Sequence, residues 1–110
     1  MTNNKSSEFN VEQQELAEIS RVLSHPARIA IIQLLAQKKE IKTGDISEFL
    51  PLSRPTVSQH LKELRNAGII KGTIDGLKIH YCLDMHKLLE MKLKYNELFE
   101  KSISENMCKC

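Results

Sequence analysis

The chain has 110 residues, 41% of them hydrophobic, with 3 cysteines and a formal net charge of +2 at pH 7. This length supports one domain with a modest core and excludes a second one. No apolar run approaches the roughly 20 residues that span a bilayer, and the amino terminus lacks the apolar stretch of a signal peptide. We therefore expect a cytoplasmic protein without membrane contact, in which thiols stay reduced.

The two ends of the chain are expected to lie outside the folded domain. Residues 1–9 are polar and are predicted to form a disordered tail. Residues 10–104 are predicted to form the domain, and residues 105–110 a flexible tail that contains two of the cysteines.

The amino-terminal half of the domain begins with two predicted helices. In the first, over Asn10–Leu23, apolar residues recur at helical spacing. Ser24 is expected to cap the second helix, over Pro26–Gln37, whose first turn accepts the proline. This second helix is so apolar that we expect it to form the buried centre of the fold.

A short helix and a turn then lead to a third long helix. Residues 38–42 are predicted to be a polar connection, with Thr43 capping a helix over Gly44–Leu50. Ser53 is expected to cap the next helix, which Gly68 ends. Two helices joined by so short a turn have the spacing of a helix-turn-helix.

The helix after Ser53 has one apolar and one polar face. Val57, Leu61 and Leu64 are spaced at i, i+4 and i+7 and can anchor it to a core. The other face carries side chains that can contact base edges and phosphates: Arg54, Thr56, Ser58, Gln59, His60 and Lys62.

A β-hairpin follows this helix. Strands are predicted over Ile69–Ile74 and Leu77–Leu83, joined at the turn dipeptide Asp75-Gly76. Between Arg54 and Lys78 the chain contains five basic and two acidic residues, a local excess of three positive charges. The predicted fold is mainly α with a β-hairpin wing, in the order α-α-α-α-β-β-α, which is a winged helix-turn-helix.

Asp84 is expected to cap a final helix of about 20 residues. Its apolar stripe comprises Met85, Leu88, Leu89, Leu93, Phe99 and Ile103. A chain this small has little core left for the stripe to cover, so we expect the helix to pair with its copy in a homodimer. Folding back on the same chain is the alternative.

With these residues in place, the chain resembles the ArsR/SmtB family of bacterial metal-responsive repressors. Three stretches carry the resemblance: Leu23-Ser24-His25-Pro26-Ala27-Arg28-Ile29 through Leu35, Ser53 to Ile70, and the hairpin ending Ile79-His80-Tyr81. It implies a homodimer that binds double-stranded operator DNA with an inverted repeat and leaves it when a metal or metalloid binds. No cofactor is expected for DNA binding itself.

The chain departs from the family pattern at one sensor site. Arsenic- and cadmium-sensing members often carry Cys-x-Cys at the start of the helix before the recognition helix. Lys42 and Gly44 stand at those positions here. Any thiol-based sensing chemistry must therefore lie elsewhere in the chain.

The leading sensor candidate is the terminal pair Cys108 and Cys110, with Cys82 as a less certain third ligand. Arsenite and antimonite are thiophilic, and thiolates also favour other soft metal ions. A helix of 20 residues spans about 30 Å, so Cys82 would join the pair only between two antiparallel protomers. The alternative for Cys82 is a small buried hydrophobe.

Two other sensor chemistries stay open. Asp84, His86, Glu97 and Glu100 resemble the zinc site that other family members share between their last helices. One imidazole with three carboxylates is a poor zinc site, and Asp84 has the alternative role of a helix cap. Thiol redox sensing is the other possibility, although cysteines separated by one residue form strained disulfides.

For DNA, the resemblance implies groove contacts from Ser53, Arg54, Thr56, Ser58, Gln59 and His60. Arg54 suits a guanine edge and Gln59 an adenine edge, whereas Lys62, Lys71 and Lys78 are expected to meet phosphate. His60 has packing as its alternative role. No motif of an enzyme is present. A protein-interaction module without DNA binding is the rival from another class, but it leaves the polar helix face unexplained.

Overall fold

The computed structural model describes residues 8–107. The elements are helix α1 (Val11–Leu23), helix α2 (Pro26–Lys38), strand β1 (Ile41–Lys42), helix α3 (Thr43–Ile46), helix α4 (Arg54–Asn66), strand β2 (Ile70–Asp75), strand β3 (Lys78–Leu83) and helix α5 (Met85–Glu105). The predicted winged helix-turn-helix is confirmed, with one strand more than predicted. Over the described residues, no helix is long and apolar enough to cross a membrane.

The additional strand is β1, which lies in the segment predicted to be a polar connection. It pairs antiparallel with β3, and β3 pairs antiparallel with β2, so that the sheet order is β1-β3-β2. Ile41 of β1 faces Tyr81 of β3 in this register, and both side chains are buried. A strand of two residues has no periodicity of its own, which is why the sequence pattern missed it.

The hairpin turn is displaced by one residue from its predicted position. Asp75 pairs with Lys78, so the two loop residues are Gly76 and Leu77 instead of Asp75 and Gly76. Gly76 has a φ of +65° at the first loop position, where hairpin turns of types I′ and II′ both require a positive φ. Gly76 therefore predicted correctly that a turn is present, but not which two residues form its loop.

The core lies where α2 meets α1, α4 and the sheet. Ile31 and Leu35 of α2 are almost fully buried, as expected for a central helix, although Ile29 at 40% exposure is not. The predicted apolar face of α4 is confirmed, because Val57, Leu61 and Leu64 are all buried. This packing turns the opposite face of α4 toward solvent.

Two of the predicted helix caps are confirmed. Ser53 Oγ accepts a hydrogen bond from the Thr56 backbone N–H at 3.4 Å, and Asp84 Oδ1 accepts one from the Lys87 N–H at 3.1 Å.

The other two predicted caps are wrong. Ser24 Oγ instead donates to the Arg21 carbonyl at the end of α1, and His25 is the N-cap of α2. Thr43 is the first residue of α3, and its N-cap is Lys42.

The short helix predicted over Gly44–Leu50 is divided in the structure. α3 has 4 residues and is followed by a 3-10 turn over Ser47–Phe49. Leu50 is extended, with φ −127° and ψ 144°. The ring of Pro51 disfavours a helical conformation at the preceding residue, so the segment tightens and stops there.

The last helix packs on α1 with one face and exposes another. Met91 is buried, and Leu88 and Tyr95 pack against the core, whereas the predicted stripe had included Leu88 and omitted the other two. Tyr95 Oη lies 2.6 Å from Ser20 Oγ. Lys94 Nζ donates to Glu15 Oε1 at 2.8 Å, which lowers the pKa of the glutamate.

The other predicted stripe residues form an exposed surface, which we call the apolar face of α5. Met85, Leu89, Leu93, Phe99 and Ile103 are each between 56% and 69% exposed. The helix thus uses one face within the chain and leaves a second apolar face uncovered.

Candidate DNA interface and sensor sites

The solvent-facing side of α4 begins at a well-defined helix start. Ser53 caps the helix, and its hydroxyl also donates to Thr56 Oγ1 at 3.0 Å. Pro55 occupies the first turn, where its missing N–H leaves no bond unmade. The first turn is therefore fixed by its own side chains and orients the residues that follow.

Most of the predicted groove residues lie together on this outward side. Ser53, Arg54, Thr56, Ser58, Gln59 and Lys62 are all exposed. They form an exposed, polar helix surface opposite the buried Val57, Leu61 and Leu64. An exposed helix of this kind fits the major groove of B-form DNA, which is about 12 Å wide.

The wing adds positive charge beside this surface. Lys71 of β2 and Lys78 of β3 are exposed, and Lys78 pairs across the turn with Asp75. Gly72 follows Lys71 on β2 and pairs with Tyr81, and a Cβ atom there would stand 3.1 Å from both Ile79 Cγ2 and Tyr81 Cε1. Because Gly72 has no side chain, Ile79 and Tyr81 of β3 can lie closely against β2 at this position.

His60 differs from the other predicted groove residues. It is half-buried, and its Nδ1 accepts a hydrogen bond from Arg28 Nε at 3.0 Å. Its ring centroid lies 5.5 Å from that of His25. Burial, the charge of Arg28 and the neighbouring His25 together lower the pKa of His60. These contacts favour the packing role over a groove contact.

Arg28 is a residue whose role the sequence did not predict. It is only 5% exposed, and its Nη1 donates to the Val22 carbonyl at 3.0 Å. Nothing in the local pattern of α2 separates it from a solvated arginine, because its acceptors come from α1 and α4.

The leading sensor residues are not brought together by the described part of the chain. Cys108 and Cys110 lie outside residues 8–107. Cys82 is a free, partly buried thiol on β3, opposite Lys71. Helix α5, which follows Cys82 in the chain, has 21 residues and is about 30 Å long.

The family's other thiol positions hold no thiol here. Lys42 lies in β1 and Gly44 in α3. Lys42 therefore directly precedes the helix-turn-helix, and Gly44 lies in its first helix.

The residues of the zinc alternative are spread along α5. Asp84 accepts the capping hydrogen bond from Lys87, and His86, Glu97 and Glu100 are exposed. Within residues 8–107 of a single chain, no group of three or more His, Cys, Asp or Glu residues is arranged to hold a metal ion. A zinc site here would need ligands from a second copy.

His80 makes a second contact set that the sequence did not predict. Its Nδ1 lies 3.5 Å from Glu40 Oε2, and its Nε2 lies 3.4 Å from Asp75 Oδ2. Nε2 is buried and has no hydrogen bond of good geometry among the described residues, so the contact with Asp75 is a close approach only. Through His80, the residue that precedes β1 (Glu40) therefore lies close to the end of β2 (Asp75).

Comparison with known proteins places this geometry in a family. The sequence model of the bacterial regulatory protein, arsR family, matches residues 25–71. The transcriptional repressor PagR of Bacillus anthracis is 33% identical over 72 residues, which are 66% of this chain and 72% of PagR. The HTH-type transcriptional repressor SmtB of Mycobacterium tuberculosis is 36% identical over 76 residues, 69% of this chain but only 56% of SmtB.

A solved structure agrees in fold. The crystal structure of a possible transcriptional regulator for arsenical resistance superimposes with a TM-score of 0.66 at 26% identity, covering 77% of this chain and 92% of that protein. The similarity to PagR and SmtB covers the helix-turn-helix. The chain belongs to the ArsR family of bacterial regulatory proteins, whose members are DNA-binding transcriptional regulators and not enzymes.

Proposed function

We propose that this chain is a homodimeric repressor that binds an inverted repeat in operator DNA and leaves it when arsenite or antimonite binds Cys108 and Cys110. The observation that supports DNA binding is the exposed polar side of α4 beside the basic wing. Family membership supports the regulatory role. The inducer and its ligands are the finer part of the proposal.

Within this proposal, the residues at the interface have two roles. Arg54 and Gln59 read base edges, and Ser53, Thr56 and Ser58 contact the groove near the helix start. Lys62, Lys71 and Lys78 neutralise phosphates and set affinity. His60 is assigned to packing, because its Nδ1 already accepts from Arg28. In a symmetric dimer, two such surfaces read half-sites roughly 10–10.5 bp apart.

The apolar face of α5 supports the dimer. Five large apolar side chains on one helix are more than half exposed, and a contiguous apolar patch of this kind marks an interaction site in a small protein. A second copy is the partner that the family resemblance implies. Antiparallel pairing of the two helices would also bring each terminal cysteine pair toward the Cys82 of the other protomer.

The chemistry of the thiols supports a soft inducer. Two thiols separated by one residue can bind a single thiophilic atom. Zinc is disfavoured, because Asp84 is engaged as a cap and the remaining set is poor in nitrogen and sulfur.

DNA reading is tested with Arg54→Ala and, as a matched control at the far end of the same helix, Arg65→Ala. Affinities are measured by fluorescence anisotropy on an inverted repeat selected from a random duplex library, and on single-base variants of it. Arg54→Ala is expected to cost about 1–3 kcal/mol and to relax specificity at one base pair. Arg65→Ala removes the same charge and should leave the base preference intact. Equal weakening by Arg54→Ala on every duplex would restrict Arg54 to phosphate contact.

The inducer is tested with Cys108→Ser/Cys110→Ser, with Cys82→Ser as the control. Arsenite is titrated into the protein–duplex complex, and release is followed by the same anisotropy signal. The double variant is expected to stay bound to the duplex. Cys82→Ser should still be released, at the arsenite concentration that releases the wild type or at a higher one. Persistent release from the double variant would remove the terminal pair as the sensor. Release by zinc, or by peroxide without metal, would favour the two alternative chemistries.

A further inference from the structure

One buried charge connects three helices of the protein. Among residues 8–107, Arg28 is the buried charged side chain. It extends from α2 and donates to the Val22 carbonyl in the last turn of α1 and to the His60 ring in the middle of α4, both at 3.0 Å. Since a buried charge is costly unless it is hydrogen-bonded, the folded protein favours positions of α1 and α4 that keep both acceptors in place.

These hydrogen bonds fix the orientation of α4, which its apolar contacts with the core leave loosely defined. The apolar face of α4 is formed by Val57, Leu61 and Leu64, and hydrophobic contacts are non-directional. A charge-assisted hydrogen bond to His60 constrains both the rotation and the position of α4 along its axis. Gln59, the adjacent residue, is exposed on the proposed DNA surface. Arg28 is therefore a positioning residue that acts on the DNA surface through His60.

The bond between Arg28 and His60 requires an unprotonated nitrogen. Neutral imidazole has one donor and one acceptor nitrogen, so acceptance at Nδ1 places the proton on Nε2. Protonation would turn Nδ1 into a second donor facing Arg28 Nε–H, and it would add a positive charge beside the guanidinium. The hydrogen bond would be lost, and two cations would remain in a half-buried site.

The surrounding charges offer His60 no compensation. It faces Arg28 of α2 and His25, the N-cap of that helix. On α4 itself, Glu63 lies 3.8 Å from Arg21 of α1, which also pairs with Glu18. The acidic residue of α3, Asp45, lines a separate cavity with Glu40 and His80. None of these carboxylates forms an ion pair with His60 in the part of the chain that the structure describes.

We propose that Arg28 and His60 form an acid-sensitive clasp: neutral His60 holds α4 in its DNA-binding position, and protonation of His60 opens the clasp and weakens sequence-specific DNA binding. The inference rests on the proposed function and adds proton control to it. Neither Arg28 nor His60 is a residue of the proposed cysteine site.

The lowered pKa of His60 fixes the direction of the effect. In the unfolded chain, the imidazole takes up a proton near its ordinary pKa of about 6.5. In the folded protein it resists protonation, so below that value the unfolded state binds more protons. The stability that neutral His60 contributes is complete above the ordinary pKa and is lost as the pH falls toward the lower, folded value.

The test compares the wild-type protein with His60→Asn, in which the amide oxygen replaces Nδ1 as an acceptor but does not titrate. His86→Asn is the matched control, because His86 is exposed on α5. Binding to the selected inverted repeat and to a scrambled duplex is measured in metal-free buffer from about pH 7.5 to about pH 5.5, a range that includes the ordinary histidine pKa of about 6.5. The readout is the ratio of affinities at the two pH values within each variant.

The wild type and His86→Asn are expected to lose specific affinity on acidification by up to about tenfold per subunit, because the lowered pKa of His60 leaves its protonation incomplete one pH unit below the ordinary value of about 6.5. His60→Asn should lose less than about threefold. An equal acid loss in His60→Asn, or no loss in the wild type, would overturn the clasp. Failure of the wild type to bind any duplex near neutral pH would instead reject the proposed function.

A second measurement requires neither DNA nor a variant. Heteronuclear NMR of the histidine rings of the wild-type protein reports which nitrogen carries the proton. Near neutral pH, His60 is expected to be protonated at Nε2 and to titrate below the ordinary histidine pKa of about 6.5. A proton on Nδ1 near neutral pH, or titration of His60 above the ordinary pKa of about 6.5, would contradict the clasp.

Discussion

The apolar face of α5 gives a sharp prediction for the assembly of the protein. Leu89 and Leu93 lie one turn apart and are 57% and 69% exposed in the single chain. If the two helices of a dimer cover them, Leu89→Gln/Leu93→Gln removes apolar burial at the interface and leaves the core intact. Lys101→Gln is the matched control, because Lys101 lies on the α1 side of the same helix, in a groove with Glu12 and Glu97.

The expected magnitude follows from these exposures. Full burial of a leucine side chain is worth about 1.5–3 kcal/mol. Scaling by the exposed fractions gives about 2–4 kcal/mol for the two leucines of one protomer, and about 4–8 kcal/mol for the four in a symmetric dimer. Because every 1.4 kcal/mol corresponds to about tenfold, the dissociation constant of the dimer should rise by about a thousandfold or more.

Sedimentation equilibrium over a range of concentrations measures this constant directly, and circular dichroism checks that the variant keeps its helices. The double variant should be a monomer at micromolar concentrations, at which the wild type and Lys101→Gln remain dimers. A double variant that dimerises as tightly as the wild type would show that another surface forms the dimer. A monomeric wild type would reject the assembly itself.

Three further predictions concern the winged domain. Leu64→Ala removes a side chain with 0% exposure and should lower the free energy of unfolding in urea by about 2–5 kcal/mol. Lys62→Ala, at an exposed position, should change it by no more than about 0.5 kcal/mol. A smaller loss for Leu64→Ala than for Lys62→Ala would reject the assigned core. Ser53→Ala should cost about 0.5–1 kcal/mol, the lower part of the range for N-caps, because the capping bond is 3.4 Å long; no measurable cost would mean that the cap does not stabilise α4. Lys71→Ala should reduce the slope of log affinity against log salt by about one and weaken all duplexes alike, and an unchanged slope would exclude a phosphate contact.

The elements that the sequence predicted well are those with a local cause. α4 was correct in its extent, its cap and its buried face, because Ser53, Pro55 and the spacing of Val57, Leu61 and Leu64 all act within one helix. The hairpin followed from Gly76 for the same reason. The exposed polar residues on α4 were then a consequence of which face is apolar.

Two of the errors lie where a partner comes from a distant part of the chain. β1 forms because Ile41 is buried against Tyr81 of β3. A segment of two residues is too short for its sequence to show the alternation that predicts a strand. The core-facing side of α5 was assigned in part to the wrong residues, since Met91 and Tyr95 were omitted. Helical spacing shows that a stripe exists, but two apolar faces on one helix can be separated only by what packs on each.

The candidate site shows the same division. That α4 is amphipathic, that the wing is basic and that the chain end carries two thiols was determined by the sequence, because residue type and spacing fix charge, periodicity and ligand chemistry locally. That His60 accepts from Arg28, and that Arg28 is buried, was decided only by the tertiary structure. A hydrogen bond across 32 residues depends on the positions of α2 and α4 relative to each other, and those positions arise from packing of the whole core.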